Sequence, residues 1–165
     1  MPAFVHPLAV SALDAIETHY AGAGVALPDR RLVSAGQSPW DCELVNVWVQ
    51  RDYPTAGGPE FATQVSIGAH PGHFFRAAVL GVQVVRCYPT ISDDGTPPSP
   101  TEETEAAELV HGDVDLCWQA LLAANAAGTF SQRNGVAYEG WVALGPDGGL
   151  AGGVLTVHAL LPAAG

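Results

Sequence analysis

The segment that most constrains the fold is a strand, turn and helix unit between residues 77 and 128. Its first part, AAVLGVQVVRC, is rich in β-branched residues and alternates as a strand does. The alternation predicts one well-buried face, which consists of Ala78, Leu80, Val82 and Val84. We therefore expect this segment to be a central strand, and the residues ISDDGTPPSP that follow it to form a turn region.

A complete helix start signal follows the turn region. Ser99 can act as the N-cap, Pro100 occupies the first helical position, and Glu102 completes a capping box. Apolar residues then recur at helical spacing, at Ala107, Val110, Val114, Cys117, Leu121 and Ala124. This stripe predicts a long helix that lies across a sheet, with Asp113 and Asp115 facing solvent.

The rest of the chain supplies one more helix and four more strands. Helical spacing predicts the first helix at 7–21, and strands are predicted at 31–33, 42–51, 136–144 and 154–161, the first of them at an edge of the sheet. The last two strands form a hairpin around the turn residues GPDGG. The order predicts a single α+β domain, residues 1–165, with two helices packed on one face of a largely antiparallel or mixed sheet.

A long connection, residues 52–76, separates two of the core strands. It carries Tyr53, Phe61, Phe74 and Phe75 among glycine and proline residues. Protein interfaces are enriched in such aromatic anchors, so we predict that these four residues make protein–protein contacts. The alternative is an ordered loop that folds back on its own domain.

The charge of the chain excludes one class of function. Seventeen acidic residues face six basic ones, all of them arginines, and the formal net charge is -11. A protein that grips nucleic acid through its phosphates needs clustered Lys and Arg, so nucleic-acid binding of that kind is not expected. The sequence also has no apolar run of membrane-spanning length and no signal-type N-terminus, which predicts synthesis in the cytosol.

No arrangement of residues predicts catalysis, a cofactor or a metal. His70 and His73 lack the helical spacing of a zinc protease motif, and neither Ser34 nor Ser66 lies in a G-x-S-x-G sequence. The three cysteines are widely spaced within or beside predicted core elements, and we expect buried, reduced thiols at Cys42, Cys87 and Cys117. The chain is therefore predicted not to be an enzyme.

Five segments occur in a fixed order along the chain: GVALPDRRLV, PWDCELV, VVRCYPT, DDGTPPSPTEE and LGPDGGLAGGVLTV. Together with the acidic helix between the last two, this series resembles the small neck proteins of long-tailed actinobacterial phages, which are tail terminators or head-to-tail connector proteins. The resemblance extends over nearly the whole chain and implies a tail-terminator-like fold.

The resemblance implies a hexameric ring that caps the head-proximal end of the phage tail tube, stops tube polymerisation and provides the surface on which the head docks. The implied partners are further copies of the chain, the tail tube protein and the head-completion or stopper protein of the neck. DNA would pass through the lumen without specific binding, no membrane would be involved, and the protein would reside in the virion after assembly in the host cytoplasm. A stopper or adaptor ring of the same neck is the nearer alternative, and an enzyme of unrecognised type is the more distant one.

Overall fold

A computed structural model of the protein describes residues 5–39, 41–55, 75–130 and 136–160, and side chains within these ranges except at residues 5, 54, 55, 75 and 76. The described residues form two helices and five strands. Their order is α1 (Val5–Ala23), β1 (Arg30–Ser34), β2 (Leu44–Thr55), β3 (Phe75–Cys87), α2 (Pro100–Ala126), β4 (Val136–Asp147) and β5 (Leu150–Leu160). This is the predicted α+β order. The largest differences from the predicted bounds are at β2, which ends at Thr55 instead of residue 51, and at β5, which begins at Leu150 instead of residue 154.

The five strands form one mixed sheet with the spatial order β1-β2-β3-β5-β4. β1 is parallel to β2, and every other neighbouring pair is antiparallel. The predicted central strand, β3, lies in the middle of the sheet, and the predicted edge strand, β1, lies at one end. β4 forms the opposite end, so the sheet has two unlike edges.

Both helices lie on the same face of the sheet, which we call the helix face. α1 buries one stripe, formed by Leu8, Ala12, Ile16 and Tyr20. α2 buries Val110, Asp113, Cys117, Ala120, Leu121 and Ala124. These stripes pack on the alternate residues of the three central strands, among them Val47, Leu80, Val82, Leu155 and Val157. Burial of each large apolar side chain contributes about 1.5–3 kcal/mol, so this layer supplies most of the stability of the fold.

The start of α2 is the predicted one. The hydroxyl of Ser99 accepts a hydrogen bond from the backbone N–H of Glu102 at 3.3 Å, and the Glu102 carboxylate accepts one from the backbone N–H of Ser99 at 2.7 Å. Both bonds of a capping box are therefore present. The hydrogen bonds that the backbone N–H and the hydroxyl of Ser99 donate to the Glu102 carboxylate lower the pKa of Glu102.

The face of the sheet opposite the helices, the back face, is more deeply buried than the sequence predicted. Asn46 of β2 and Gln83 of β3 are both 0% exposed there. The connection between β1 and β2 lies over them. The Gln83 amide exchanges two 3.2 Å hydrogen bonds with the backbone N–H and C=O of Ser38, and the Asn46 amide donates to the C=O of Gly36 at 3.2 Å. The two buried amides thus supply the partners that the covering backbone needs.

The connection between β2 and β3 is shorter than predicted. The antiparallel ladder continues through Tyr53, which pairs with Ala77, to Thr55, which pairs with Phe75. Pro54 is part of this ladder, opposite Arg76, although proline cannot donate a ladder hydrogen bond. Residues 56–74, the rest of the predicted loop, lie outside the described residues.

Candidate functional site

Tyr53 is the one predicted contact residue with a described side chain. It lies in β2 instead of in a loop, it is half-buried, and its hydroxyl is bonded to another strand of the same sheet. Phe61 and Phe74 lie outside the described residues, and Phe75 is the first residue of β3, with only its backbone described. The contact role of the four aromatic residues stays a prediction.

His158 connects three strands at one end of the back face. It projects from β5 and is 1% exposed. Its Nε2 lies 2.6 Å from Oε2 of Glu139 in β4, and its Nδ1 lies 2.7 Å from the hydroxyl of Tyr53 in β2. The guanidinium of Arg51 stands 5.8 Å from the centre of the Tyr53 ring. We call these four residues the histidine cluster.

Three residues of the histidine cluster are arranged like a catalytic triad, with Tyr53 in the position of the nucleophile, His158 in that of the base and Glu139 in that of the carboxylate. Its electrostatics oppose that chemistry. Burial raises the pKa of Tyr53, the charge of Arg51 opposes this effect, and the charge of Glu139 adds to it, with a raised pKa as the result. A raised pKa disfavours the phenolate, so the cluster is better suited to hold β2, β5 and β4 together than to attack a substrate.

Arg86 is the centre of a second cluster, on the helix face. It is 4% exposed, and its guanidinium donates to both carboxylate oxygens of Asp113, Nε to Oδ2 and Nη2 to Oδ1, each at 2.8 Å. Nη1 donates to Oε2 of Glu43 at 2.9 Å, and Nη2 also donates to the C=O of Ala26 at 2.8 Å. The hydroxyl of Tyr20 donates to Oδ1 of Asp113 at 2.8 Å. This arginine cluster ties both helices to the ends of β2 and β3.

Glu43 enters the arginine cluster through an unusual backbone conformation. Its φ is 55°, and no other described residue except glycines has a positive φ. A left-handed conformation costs a side-chain-bearing residue roughly 1–2 kcal/mol. Three bonds hold Glu43 there: the ion pair with Arg86, a hydrogen bond from the N–H of Cys87 to Oε1 at 3.2 Å, and one from the N–H of Arg30 to its C=O at 2.9 Å.

Two members of the arginine cluster, Arg86 and Tyr20, and the neighbouring Cys117 have raised pKa values. Burial lowers the pKa of Arg86, but the hydrogen bonds and charges of Asp113 and Glu43 outweigh it, so that the pKa is raised. Burial also raises the pKa of Tyr20, with further increases from the neighbouring Cys117 and Asp113. The same burial raises the pKa of the Cys117 thiol to about 12. None of these groups can exchange a proton near neutral pH, which is the behaviour of a structural cluster.

Cys42 and Cys87 form a disulfide bond, with their Cα atoms 4.9 Å apart. The prediction of reduced, buried thiols is therefore wrong for both, and Cys87 is exposed. It is confirmed for Cys117, which is free and buried. The reason lies in the register. Leu44 of β2 pairs with Val85 of β3. Cys42, two residues before Leu44, therefore faces Cys87, two residues after Val85.

Sequence reasoning also missed the two charged residues at the centre of the arginine cluster. Asp113 was predicted to face solvent but is 1% exposed. It is spaced four residues from Cys117 on the apolar stripe of α2, and Arg86 continues the helix-face alternation of Val82 and Val84 in β3. Two opposite charges, each on an apolar face, are a signal for a buried ion pair.

The sequence predicted neither a metal site nor a membrane-spanning segment, and the described residues bear on both points only in part. His70 and His73 lie outside the described residues. Within the described ranges, no group of three or more His, Cys, Asp or Glu side chains is placed to hold a metal ion. Neither described helix combines the length and the apolar character that a membrane crossing requires.

Two features of the described surface stand out. A groove of about 700 Å³ lies between α1 and α2 and is lined mainly by small side chains, including Ser11, Ala15, Gly22, Ala120, Ala123 and Ala127. The second feature is β4, whose outer edge pairs with no described strand. Two large apolar side chains of β4 are exposed, Val142 at 61% and Tyr138 at 43%, and the Tyr138 ring also contacts Trp118 of α2.

Comparison with known proteins gives no family assignment. No model of a protein family matches the chain, and no curated protein matches its sequence.

Proposed function

We propose that the protein is a structural subunit of a phage neck, a tail terminator that forms a hexameric ring on the head-proximal end of the tail tube. The observation that carries this proposal is that the sheet of the five described strands is open, with unlike strands at its ends, β1 at one end and β4 at the other. Unlike surfaces at opposite ends of a subunit make head-to-tail contacts, and such contacts close into a ring when the rotation between neighbours allows it. The five ordered sequence segments supply the phage context.

The two polar clusters support a structural role. In the arginine cluster, the guanidinium of Arg86 is shared by Asp113, Glu43 and the C=O of Ala26. In the histidine cluster, both ring nitrogens of His158 have partners in the protein. These polar groups form contacts that hold the helices and strands together. We therefore propose a protein that acts through its surfaces and not through catalysis.

The acidic surface is suited to a channel through which DNA moves. The net charge is -11, and the first turns of α2 expose Glu102, Glu103, Glu105 and Glu108. Carboxylates repel phosphates, and no counterions are released to reward binding. A ring of such subunits would let DNA pass without holding it.

Deletion of the gene from the phage that encodes the protein tests the proposal. We expect filled heads without tails, together with tail tubes of uncontrolled length, because nothing stops tube growth. Supplying the protein in trans should restore normal particles. Tails of normal length joined to heads in the deletion phage would overturn the proposal.

The position of the ring separates a terminator from the other neck components. We expect gold-labelled protein at the free upper end of tail tubes that have not yet met a head. Label that is found only on filled heads would assign the protein to the stopper or adaptor. A purified protein that stays monomeric in the presence of tail tubes, as measured by native mass spectrometry, would argue against every ring position.

A further inference from the structure

Among the described residues, no strand pairs with the outer edge of β4. Natural edge strands avoid pairing with other chains through lysines, prolines, shortness, inward charges or β-bulges. β4 is 12 residues long, and its stretch from Val136 to Gly145 contains no lysine or proline and a single charged residue, Glu139. The Glu139 carboxylate is bound to His158 on the back face. The stretch of β4 that lies between its two register shifts is therefore suited to receive another strand.

The regular part of the β4 edge has the length of β1. Register shifts interrupt β4 between Tyr138 and Gly140 and between Leu144 and Asp147. Between them, residues 140–144 pair with β5 without interruption. β1 at the other edge is 5 residues long, the same length as this stretch. The outer strands of two copies can therefore pair side by side over all five residues without a further bulge.

The direction of the strands also fits. β1 is parallel to β2, and three successive antiparallel pairs separate β2 from β4, so β1 and β4 run in opposite directions. Rotation about an axis along the strands preserves these directions. In a ring of that geometry, β4 of one copy meets β1 of the next copy antiparallel, which is the more stable ladder.

Side-chain faces agree in the centred register of this ladder. Val142 pairs with Val154 on the back face, and Leu32 pairs with Asn46 on the same face. Centring the two five-residue stretches on each other places Val142 opposite Leu32. Val142, the most exposed large apolar side chain among the described residues of the sheet, would then be covered by a half-buried leucine.

Charge favours the unlike pairing over the pairing of β4 with itself. β1 carries Arg30 and Arg31, both exposed, and each also forms an ion pair within its own subunit, with Asp41 and Glu17. β4 carries only acidic charges, at Glu139 and Asp147. Two β4 edges would bring like charges together in a chain that is already strongly acidic, whereas the five residues of β1 carry no acidic side chain.

We infer that residues 140–144 of β4 pair antiparallel with β1 of a second copy of the chain, with Val142 opposite Leu32, and that this contact closes the ring. The inference rests on the proposed function and names the surface that assembles it. The sheets of successive subunits then form one continuous sheet around the ring.

Thiol crosslinking tests the pairing directly. Leu32→Cys and Val142→Cys are introduced together and separately, and a short bis-maleimide is added to the purified protein and to virions that carry the variant. Reducing gels then show only thioether links, because the native disulfide is opened. From the double variant we expect a gel ladder of covalently linked oligomers, up to the size of the ring. Neither single variant should give this ladder of gel bands. Leu32→Cys with Ile91→Cys, where Ile91 is exposed on a loop at 66%, is the matched control and should give no ladder.

Two outcomes overturn the pairing, and a third overturns the proposed function. Crosslinked dimers from Val142→Cys alone mean that β4 pairs with itself. Rings that form by native mass but give no ladder mean that another surface closes them, and the proposed terminator role is then unaffected. Virions that lack the protein altogether overturn the proposed function instead, whatever the ladder in solution shows.

A charge placed on the edge gives an independent readout. Val142→Lys puts a strand-blocking residue on the pairing edge of β4. Native mass spectrometry should then detect no ring, while the melting temperature of the subunit stays unchanged. Ile91→Lys makes the same chemical change at another exposed position and should leave the ring intact. If the two variants form equal amounts of the ring, the inference is contradicted.

Discussion

Arg86 and Asp113 form a two-point ion pair in which both N–O distances are 2.8 Å, between the end of β3 and the middle of α2. Their side chains are 4% and 1% exposed. Removing two ions from water costs several kcal/mol per ion, and the pair recovers this only when further hydrogen bonds satisfy both groups. Glu43, Ala26 and Tyr20 supply those bonds. The main effect of the cluster is therefore to fix where α2 crosses the sheet.

Asp113→Ala should lower the free energy of unfolding by about 3–5 kcal/mol, because it leaves the Arg86 charge buried without its main partner. Asp115→Ala is the matched control, since Asp115 is an exposed acid in the same helix, and it should change stability by no more than about 0.5 kcal/mol. Urea unfolding followed by circular dichroism measures both. Similar losses for the two variants would mean that Asp113 does not carry the pair. Replacing Asp113 and Arg86 together with leucine and methionine should restore much of the loss.

The Cys42–Cys87 disulfide should stabilise the fold by about 2–4 kcal/mol, since it closes a chain segment with a sequence separation of 45 residues. Cys42→Ser should therefore lower the melting temperature, and a reducing agent should produce the same shift in the native protein but none in the variant. Cys117→Ala is the control and should keep the response to the reducing agent. A melting temperature of the native protein that does not respond to reduction would contradict the disulfide.

The elements of the fold follow from local signals that the sequence states plainly. Ser99 and Glu102 predicted the start of α2 because a capping box acts within four residues. β3 was predicted as central because a half-buried strand alternates with period two, and its position in the middle of the sheet confirms this.

What local signals could not give is the pairing between distant residues. The disulfide depends on the register of β2 against β3, and the cover of the back face depends on the path of the β1–β2 connection over Asn46 and Gln83. Neither is encoded in a spacing. The burial of Asp113 was missed for a different reason, because a carboxylate on a helix is normally a solvated residue and its partner, Arg86, is 27 positions away.

The stability of the protein should fall as the pH rises above about 9. Cys117 has an ordinary pKa of 9.0, raised by burial to about 12 in the folded protein. Above pH 9 the unfolded chain loses the thiol proton while the folded chain keeps it, so the unfolded state binds fewer protons and is favoured increasingly up to about pH 12. Tyr20, whose pKa is also raised by burial, acts in the same direction from its ordinary value of 10.0 upward.

Cys117→Ala removes the thiol contribution, so its loss of stability between pH 8 and pH 11 should be smaller than that of the native protein, whatever its stability at pH 7. Urea unfolding at a series of pH values measures this slope. The native thiol should also resist alkylation near neutral pH, because the thiolate is the reactive form. Identical slopes for the two proteins would show that the thiol is not buried in the folded state.

Trp48 and Gly81 meet across the ladder between β2 and β3 on the back face. They are directly paired, and a Cβ atom added to Gly81 would lie 2.4 Å from Cζ2 of the Trp48 ring. Gly81→Ala should therefore destabilise the protein by on the order of 1–3 kcal/mol, since neither the central strand nor the buried ring can move away freely. Gly112→Ala is the control. Apart from the backbone of its own helix, no described atom lies within 4 Å of a Cβ atom built there, so alanine should stabilise the protein by about 0.5–1 kcal/mol.

The sign of a second substitution identifies the cause. Trp48→Leu alone should destabilise the protein, because it leaves a cavity where a ring is 6% exposed. In the Gly81→Ala background the same substitution removes the clash, so it should cost much less or become stabilising. A double-mutant cycle measured by urea unfolding gives this coupling. If the two substitutions were simply additive, the loss at Gly81 would come from the strand backbone and not from the Trp48 ring.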